Sequence, residues 1–150
     1  MNTLELKTLL GLDEKIRKKF YYGVFAQDQF KSNTDVEKQK CAICIVNEQP
    51  STAADTHWIL VFVDENKVVF FDSFGRPPSH FSIGGKVNKL LKGKKKVLYY
   101  PTRQLQSAIS NRCGGFVMLA AFLLSRDQTL TTILSLFREG DTFDSVLADL

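Results

Sequence analysis

Residues 113–125 read Cys113-Gly114-Gly115-Phe116-Val117-Met118-Leu119-Ala120-Ala121-Phe122-Leu123-Leu124-Ser125. This stretch decides the fold. A helical segment that is apolar on every side has no face to give to water, so it is predicted as a buried central helix against which a sheet must pack. Working outward from it, Cys41 to Val46, His57 to Val63, Val68 to Phe71 and Val97 to Tyr100 are short runs rich in β-branched and aromatic residues and are predicted as strands. Asp64-Glu65-Asn66-Lys67 joins the second and third of these as a hairpin. Leu6, Leu9, Leu10, Ile16 and Phe20 recur at about helical spacing, with Gly11 and Asp13 marking a break between two short helices. Further helices are predicted at Lys86 to Leu91, Thr129 to Phe137 and Thr142 to Leu150. No repeat or linker divides the chain, so the expectation is one domain over 1–150, α+β, with a mixed or antiparallel sheet packed on the central helix that starts at Cys113.

Composition narrows the function classes. At 150 residues, 44% hydrophobic and 24% charged, the chain has the balance of an ordinary globular protein. The longest apolar run, Phe116 to Leu124, covers nine positions, half of what a membrane helix needs, so no membrane partner is expected. Met1 to Lys7 lacks the basic start and apolar centre of a secretory signal, which points to a reduced, intracellular setting. Three cysteines cannot all pair within the chain, and reduced surroundings favour catalysis or plain burial over a disulfide framework. Cys41 and Cys44 form C-x-x-C, but in a strand they point to opposite faces, and no second Cys/His pair completes a tetrahedral site; no metal is expected. Net charge is +4, yet Lys86, Lys89, Lys92, Lys94, Lys95 and Lys96 crowd one segment. That pattern fits a solvated lysine-rich turn as well as a phosphate-contacting surface.

Histidine chemistry has two possible carriers, His57 and His80. In a hairpin closed by a two-residue turn at Asp64-Glu65, Asp72 falls directly opposite His57; with a four-residue turn the two are diagonal neighbours on the same face. A carboxylate there fixes the tautomer of the imidazole and favours its charged form, which a thiol-activating base requires. Cys113 opens the central helix, where free backbone N–H groups favour a thiolate, and Gly114 and Gly115 suit the close approach of another chain. The same features also describe an inert core cysteine beside glycines that permit tight helix packing.

Taken together, His57-Trp58, Asp72-Ser73-Phe74-Gly75 and Gln106 seven positions before Cys113-Gly114 make the chain resemble adenain, the adenovirus maturation protease, with its relatives in virophages and adenovirus-like mobile elements. Gly23-Val24-Phe25-Ala26 and Cys41 to Asn47 are similar to the N-terminal segments of that family. The resemblance implies a papain-related fold and a cysteine endopeptidase. Cys113 would be its nucleophile, His57 its general base and acid, Asp72 the group that orients His57, and Gln106 an oxyanion-hole donor beside the Cys113 backbone N–H. Trp58, Gly114 and Gly115 become substrate-binding residues. The implied substrates and partners are viral capsid and other structural precursor proteins, often cut next to glycine. The implied location is the virion and the assembly site of an infected cell, cytoplasmic or nuclear. No cofactor is required by the mechanism.

The departures from the family are equally concrete. Where adenain carries a cysteine that binds an activating peptide, this chain has Lys94, Lys95 and Lys96, which argues against disulfide-linked activation. The family's stimulation by DNA would map onto the patch Lys86, Lys89, Lys92, Lys94, Lys95 and Lys96. Aspartate stands where adenovirus enzymes use glutamate, and the chain stops short of their C-terminal helical portion. Two other readings accommodate the motifs: a Ulp1-like isopeptidase that removes ubiquitin-like modifiers, although Arg112 replaces the Asp before its Cys-Gly, and a catalytically silent, DNA-associated virion protein.

Overall fold

The structure is a computed structural model that describes residues 2–30, 36–48, 57–92, 95–105 and 113–136. Two helices come first, α1 (Thr3–Leu12) and α2 (Glu14–Lys19). Asn2 caps α1 by accepting from the Glu5 N–H at 2.9 Å, and Asp13 does the same for α2 through Ile16 at 2.9 Å. Such caps satisfy amides that have no intrahelical acceptor. Asp13 also ends α1, its own N–H reaching the Leu10 carbonyl, so one residue makes the break that the sequence places at Gly11 to Asp13.

Five strands follow: β1 (Tyr21–Ala26), β2 (Ala42–Asn47), β3 (Trp58–Val63), β4 (Lys67–Phe71) and β5 (Val97–Tyr99). They lie side by side in chain order. β2, β3 and β4 form an antiparallel meander, and β1 and β5 join its two edges in parallel, so the sheet is mixed. β1 is not among the strands expected from the sequence. Its half-buried edge position gives it neither the continuous apolar run of β2 and β3 nor a clean alternation.

Both faces of the sheet are covered, which is why β2 and β3 are apolar at nearly every position. On one face, Ile43, Ile45, Trp58, Leu60, Phe62, Val69 and Phe71 pack with Leu6, Leu10, Ile16 and the helix α4 (Cys113–Ser125). The bounds of α4 are those read from the sequence. α5 (Leu130–Ser135) closes this layer through Leu130 and Ile133 and is capped by Thr129. On the other face, Cys44, Ile59, Val61, Val63, Val68 and Phe70 pack with Phe30, Val36 and α3 (Gly84–Leu91). The architecture is therefore α+β, with a mixed five-stranded sheet lying on a buried helix that begins at Cys113. The helix expected at Thr142 to Leu150 lies outside the described residues.

Leu60 pairs with Phe71 and Val63 with Val68, the register of the four-residue turn rather than of a two-residue turn at Asp64-Glu65, with Lys67 already the first residue of β4. Asp64 holds the turn by accepting the N–H groups of Asn66 and Lys67, both at 2.8 Å. After β4 the chain turns at once: the Gly75 N–H reaches the Asp72 carbonyl at 2.9 Å, and Gly75 sits at φ 73°. A side chain at Gly75 would meet the backbone C and O of Arg103 at 2.7 Å. The segment ending at Leu105 is thus seated on this turn, and the Leu105 N–H donates to the Ser73 carbonyl at 2.8 Å. Gly75→Ala combines a left-handed backbone with a backbone clash, and we expect it to lower the unfolding free energy by roughly 1 to 3 kcal/mol. A urea midpoint unchanged from that of the parent would show that the turn relaxes without cost.

Candidate functional site

His57 immediately precedes β3 and Asp72 immediately follows β4, so the hairpin register governs their separation. With the four-residue connection they are diagonal rather than direct neighbours. The chain closes the gap: His57 Nε2 lies 2.6 Å from Asp72 Oδ1. The carboxylate is fully buried, and the imidazole side chain is 11% exposed. Such a short contact to a buried acid fixes the ring and its tautomer, assigning Nε2 to the carboxylate.

The backbone of His57 is fixed as well. Its carbonyl accepts the Glu48 N–H at 2.9 Å, and its N–H donates to Asn47 Oδ1 at 3.3 Å, extending the β2–β3 pairing past the last strand residue. The imidazole lies against Phe74, with ring centroids 5.0 Å apart. Asn47 and Phe74 were not singled out from sequence as support for the histidine. Asn47 ends an apolar strand, and Phe74 faces His57 only because of the turn at Asp72 to Gly75.

Asp72 is held from its other side by Arg76. The guanidinium Nε donates to Oδ2 at 2.9 Å and the Arg76 backbone N–H to the same oxygen at 3.0 Å. Burial by itself pushes the Asp72 carboxyl up, but the hydrogen bonds from His57 and Arg76, with their charges, outweigh it and hold the group below the usual carboxylate range.

The remaining residues read from sequence fall in different places. Cys113 is the first residue of α4, and its side chain lies outside the described residues, as do Gln106 and Lys94. Gly114 is buried and Gly115 partly so, both in the first turn of α4. Trp58, expected as a substrate-binding residue, is 2% exposed and packs in the core with α4, because the alternation of β3 turns it to the same face as Leu60 and Phe62. Lys86 and Lys96 reach the backbone carbonyls of Gln27 and Asp64, while Lys89, Lys92 and Lys95 are exposed. His80 lies in a 3-10 turn, Pro78–His80, with Nε2 at 3.5 Å from Arg76 Nη1.

The other two cysteines differ in kind from a reactive thiol. Cys44 is fully buried in the α3-side core, and burial pushes its thiol up to about 12. Cys41 is partly exposed at the start of β2, and its thiol is also pushed up, first by burial and then by the charges of Asp64 and Glu65.

Comparison with known proteins adds little to this geometry. No protein-family model matches the chain, and no curated protein matches it. Among solved structures it is similar to AvrA delL154 with IP6, CoA, at 20% identity and a TM-score of 0.44. The match covers 81% of this chain and 49% of the other, so the chain spans about half the length of that structure.

The charge state of Asp72 has a definite thermodynamic sign. Its folded pKa lies below the unfolded value of about 3.9, so its contribution to stability is complete above that pH and is lost as pH falls through the folded value. We expect Asp72→Asn to be less stable than the parent by roughly 2 to 4 kcal/mol at pH 7, with the gap narrowing below about pH 4. Urea titrations from pH 7 to pH 2 measure this directly, and a gap that stays constant throughout would exclude a stabilising carboxylate charge.

Proposed function

We propose that this protein is a cysteine endopeptidase built on a Cys113, His57, Asp72 triad, and more specifically a maturation protease that cleaves viral structural precursors. The observation that carries the reading is the 2.6 Å contact between His57 Nε2 and the buried Asp72 carboxylate, beside a sheet that rests on a helix beginning at Cys113. A histidine held this way has one nitrogen committed to the acid, which makes Nδ1 the atom that serves the reaction.

In the proposed cycle Nδ1 of His57 takes the proton from the Cys113 thiol, and the thiolate attacks the scissile carbonyl carbon. The negative charge that develops on the carbonyl oxygen is met by the Cys113 backbone N–H and the Gln106 amide, where one such donor is worth roughly 100- to 1000-fold in rate. Collapse of the tetrahedral intermediate breaks the C–N bond, and His57 gives its proton to the leaving amine. Water, deprotonated by His57, then hydrolyses the thioester and restores the thiol. Glycines at 114 and 115 in the first turn of α4 suit substrates with glycine beside the cut bond. Capsid precursors at the virion assembly site are the proposed partners, with DNA as a further partner through Lys89, Lys92 and Lys95.

Aspartate at position 72, together with His-Trp and the upstream Gln, is also what the Ulp1-like isopeptidase motif carries, so removal of ubiquitin-like modifiers is the second reading. The test uses the purified chain against glycine-containing peptides from capsid precursors and, in parallel, ubiquitin-like conjugates. Hydrolysis of the peptides, abolished in Cys113→Ala and His57→Ala, is the expected result. Cleavage of conjugates alone transfers the assignment to the second reading. Alkylation by iodoacetamide at neutral pH is expected to label Cys113 ahead of Cys41 and Cys44, with less labelling in His57→Ala. Equal labelling of all three would sink the catalytic reading in favour of a silent module.

A further inference from the structure

We infer that Arg76 is a positioning residue for the His57–Asp72 pair, acting by locking the carboxylate in the rotation that presents Oδ1 to the imidazole. The inference deepens the protease reading and rests on it for its kinetic consequences, though not for its structural ones.

Two donors from one residue converge on Asp72 Oδ2: the Arg76 Nε at 2.9 Å and the Arg76 backbone N–H at 3.0 Å. A third, Nη2, approaches Oδ1 at 3.4 Å. With Oδ2 occupied from a fixed direction, the carboxylate plane cannot turn without losing both bonds, and Oδ1 is left facing His57 Nε2 at 2.6 Å. The guanidinium is itself fixed. Its carbon lies 5.0 Å from the centre of the Phe74 ring and 4.9 Å from that of Phe81, and Glu48 Oε2 stands 3.9 Å from Nη2. A planar cation held by two aromatic rings and donating from its Nε edge is something arginine supplies and lysine does not.

The turn makes this geometry available. Gly75 at φ 73° reverses the chain so that the amide of the very next residue points back at the Asp72 side chain. Pro77 and Pro78 then carry the chain into the 3-10 turn and on to Phe81, which supplies the second ring. Phe74 contacts both the imidazole and the guanidinium, so one side chain spans the two groups that flank the carboxylate.

The experiment has two independent arms. In the Cys113→Ala protein, proton and nitrogen NMR reads the His57 Nε2–H resonance, expected far downfield and slow to exchange because of the short bond to Asp72. Arg76→Gln and Arg76→Lys are both expected to lose it while circular dichroism stays that of the parent. In the Cys113 protein, both variants are expected to lower kcat roughly 10- to 100-fold, as displacement of a catalytic group does, with KM within about 2-fold. Should Arg76→Gln fail to fold, Phe81→Leu removes one ring without touching a donor to Asp72 and is expected to lower kcat about 3-fold with KM unchanged. Parent-like kcat and resonance in the folded Arg76 or Phe81 variants overturn the inference and leave the protease reading standing. Full restoration by Arg76→Lys overturns it too, because charge alone would then suffice. Loss of the resonance in a protein whose parent hydrolyses nothing supports the role of Arg76 and removes the protease reading instead.

Discussion

Because successive side chains of a strand point to opposite faces, the connection Asp64–Lys67 determines more than a turn. It fixes Val63 opposite Val68 and, through that pairing, sends Leu60, Phe62, Val69 and Phe71 towards α4 and Val61, Val63, Val68 and Phe70 towards α3. A slip of one residue would exchange the two sets and part the groups at the far end of the hairpin. Asp64 guards against this by accepting two backbone N–H groups inside the connection. The placement of His57 relative to Asp72 is inherited from that register, with the turn at Asp72 to Gly75 making up the remaining distance.

A fully buried carboxylate is costly unless its oxygens are matched by donors, and here the matching comes from both sides. His57 takes one oxygen and Arg76 the other, so each oxygen of the buried acid has a donor from the protein. The acid is fully covered, while the imidazole side chain keeps 11% of its surface exposed and the arginine side chain 30%. Such an order suits a histidine that must exchange protons while its partner stays ionised. The thiols of Cys41 and Cys44, raised by burial, are chemically quiet by comparison.

Much of this was readable before any coordinates. α4 announces itself because an apolar helix has one place to go, and β2, β3 and β4 because both their faces are buried. The proximity of His57 and Asp72 was expected for a hairpin turn of two or four residues, and a register of the other parity would have put them on opposite faces. What stayed hidden has a common cause. β1 is an edge strand whose half-buried residues carry a weak pattern, and Arg76 sits in a run that reads simply as a place where a strand must stop. Its role comes from a backbone reversal at Gly75 that no spacing rule reveals. The burial of Trp58 was not read from the sequence either: the motif gave it as a substrate-binding neighbour of the histidine, and alternation turns it inward.

The sheet has an antiparallel middle and parallel margins, and this bears on how the chain assembles. β3 and β4 meet across a tight connection, so their pairing costs little loop entropy. β1 and β5 must each be brought back alongside a neighbour that runs the same way, across residues 27–41 and 72–96 respectively. Closing those longer excursions rewards the chain only once the meander exists to receive them. Loop-closure entropy therefore favours assembly from the hairpin outward, with the Asp72 turn lying inside the longer of the two excursions.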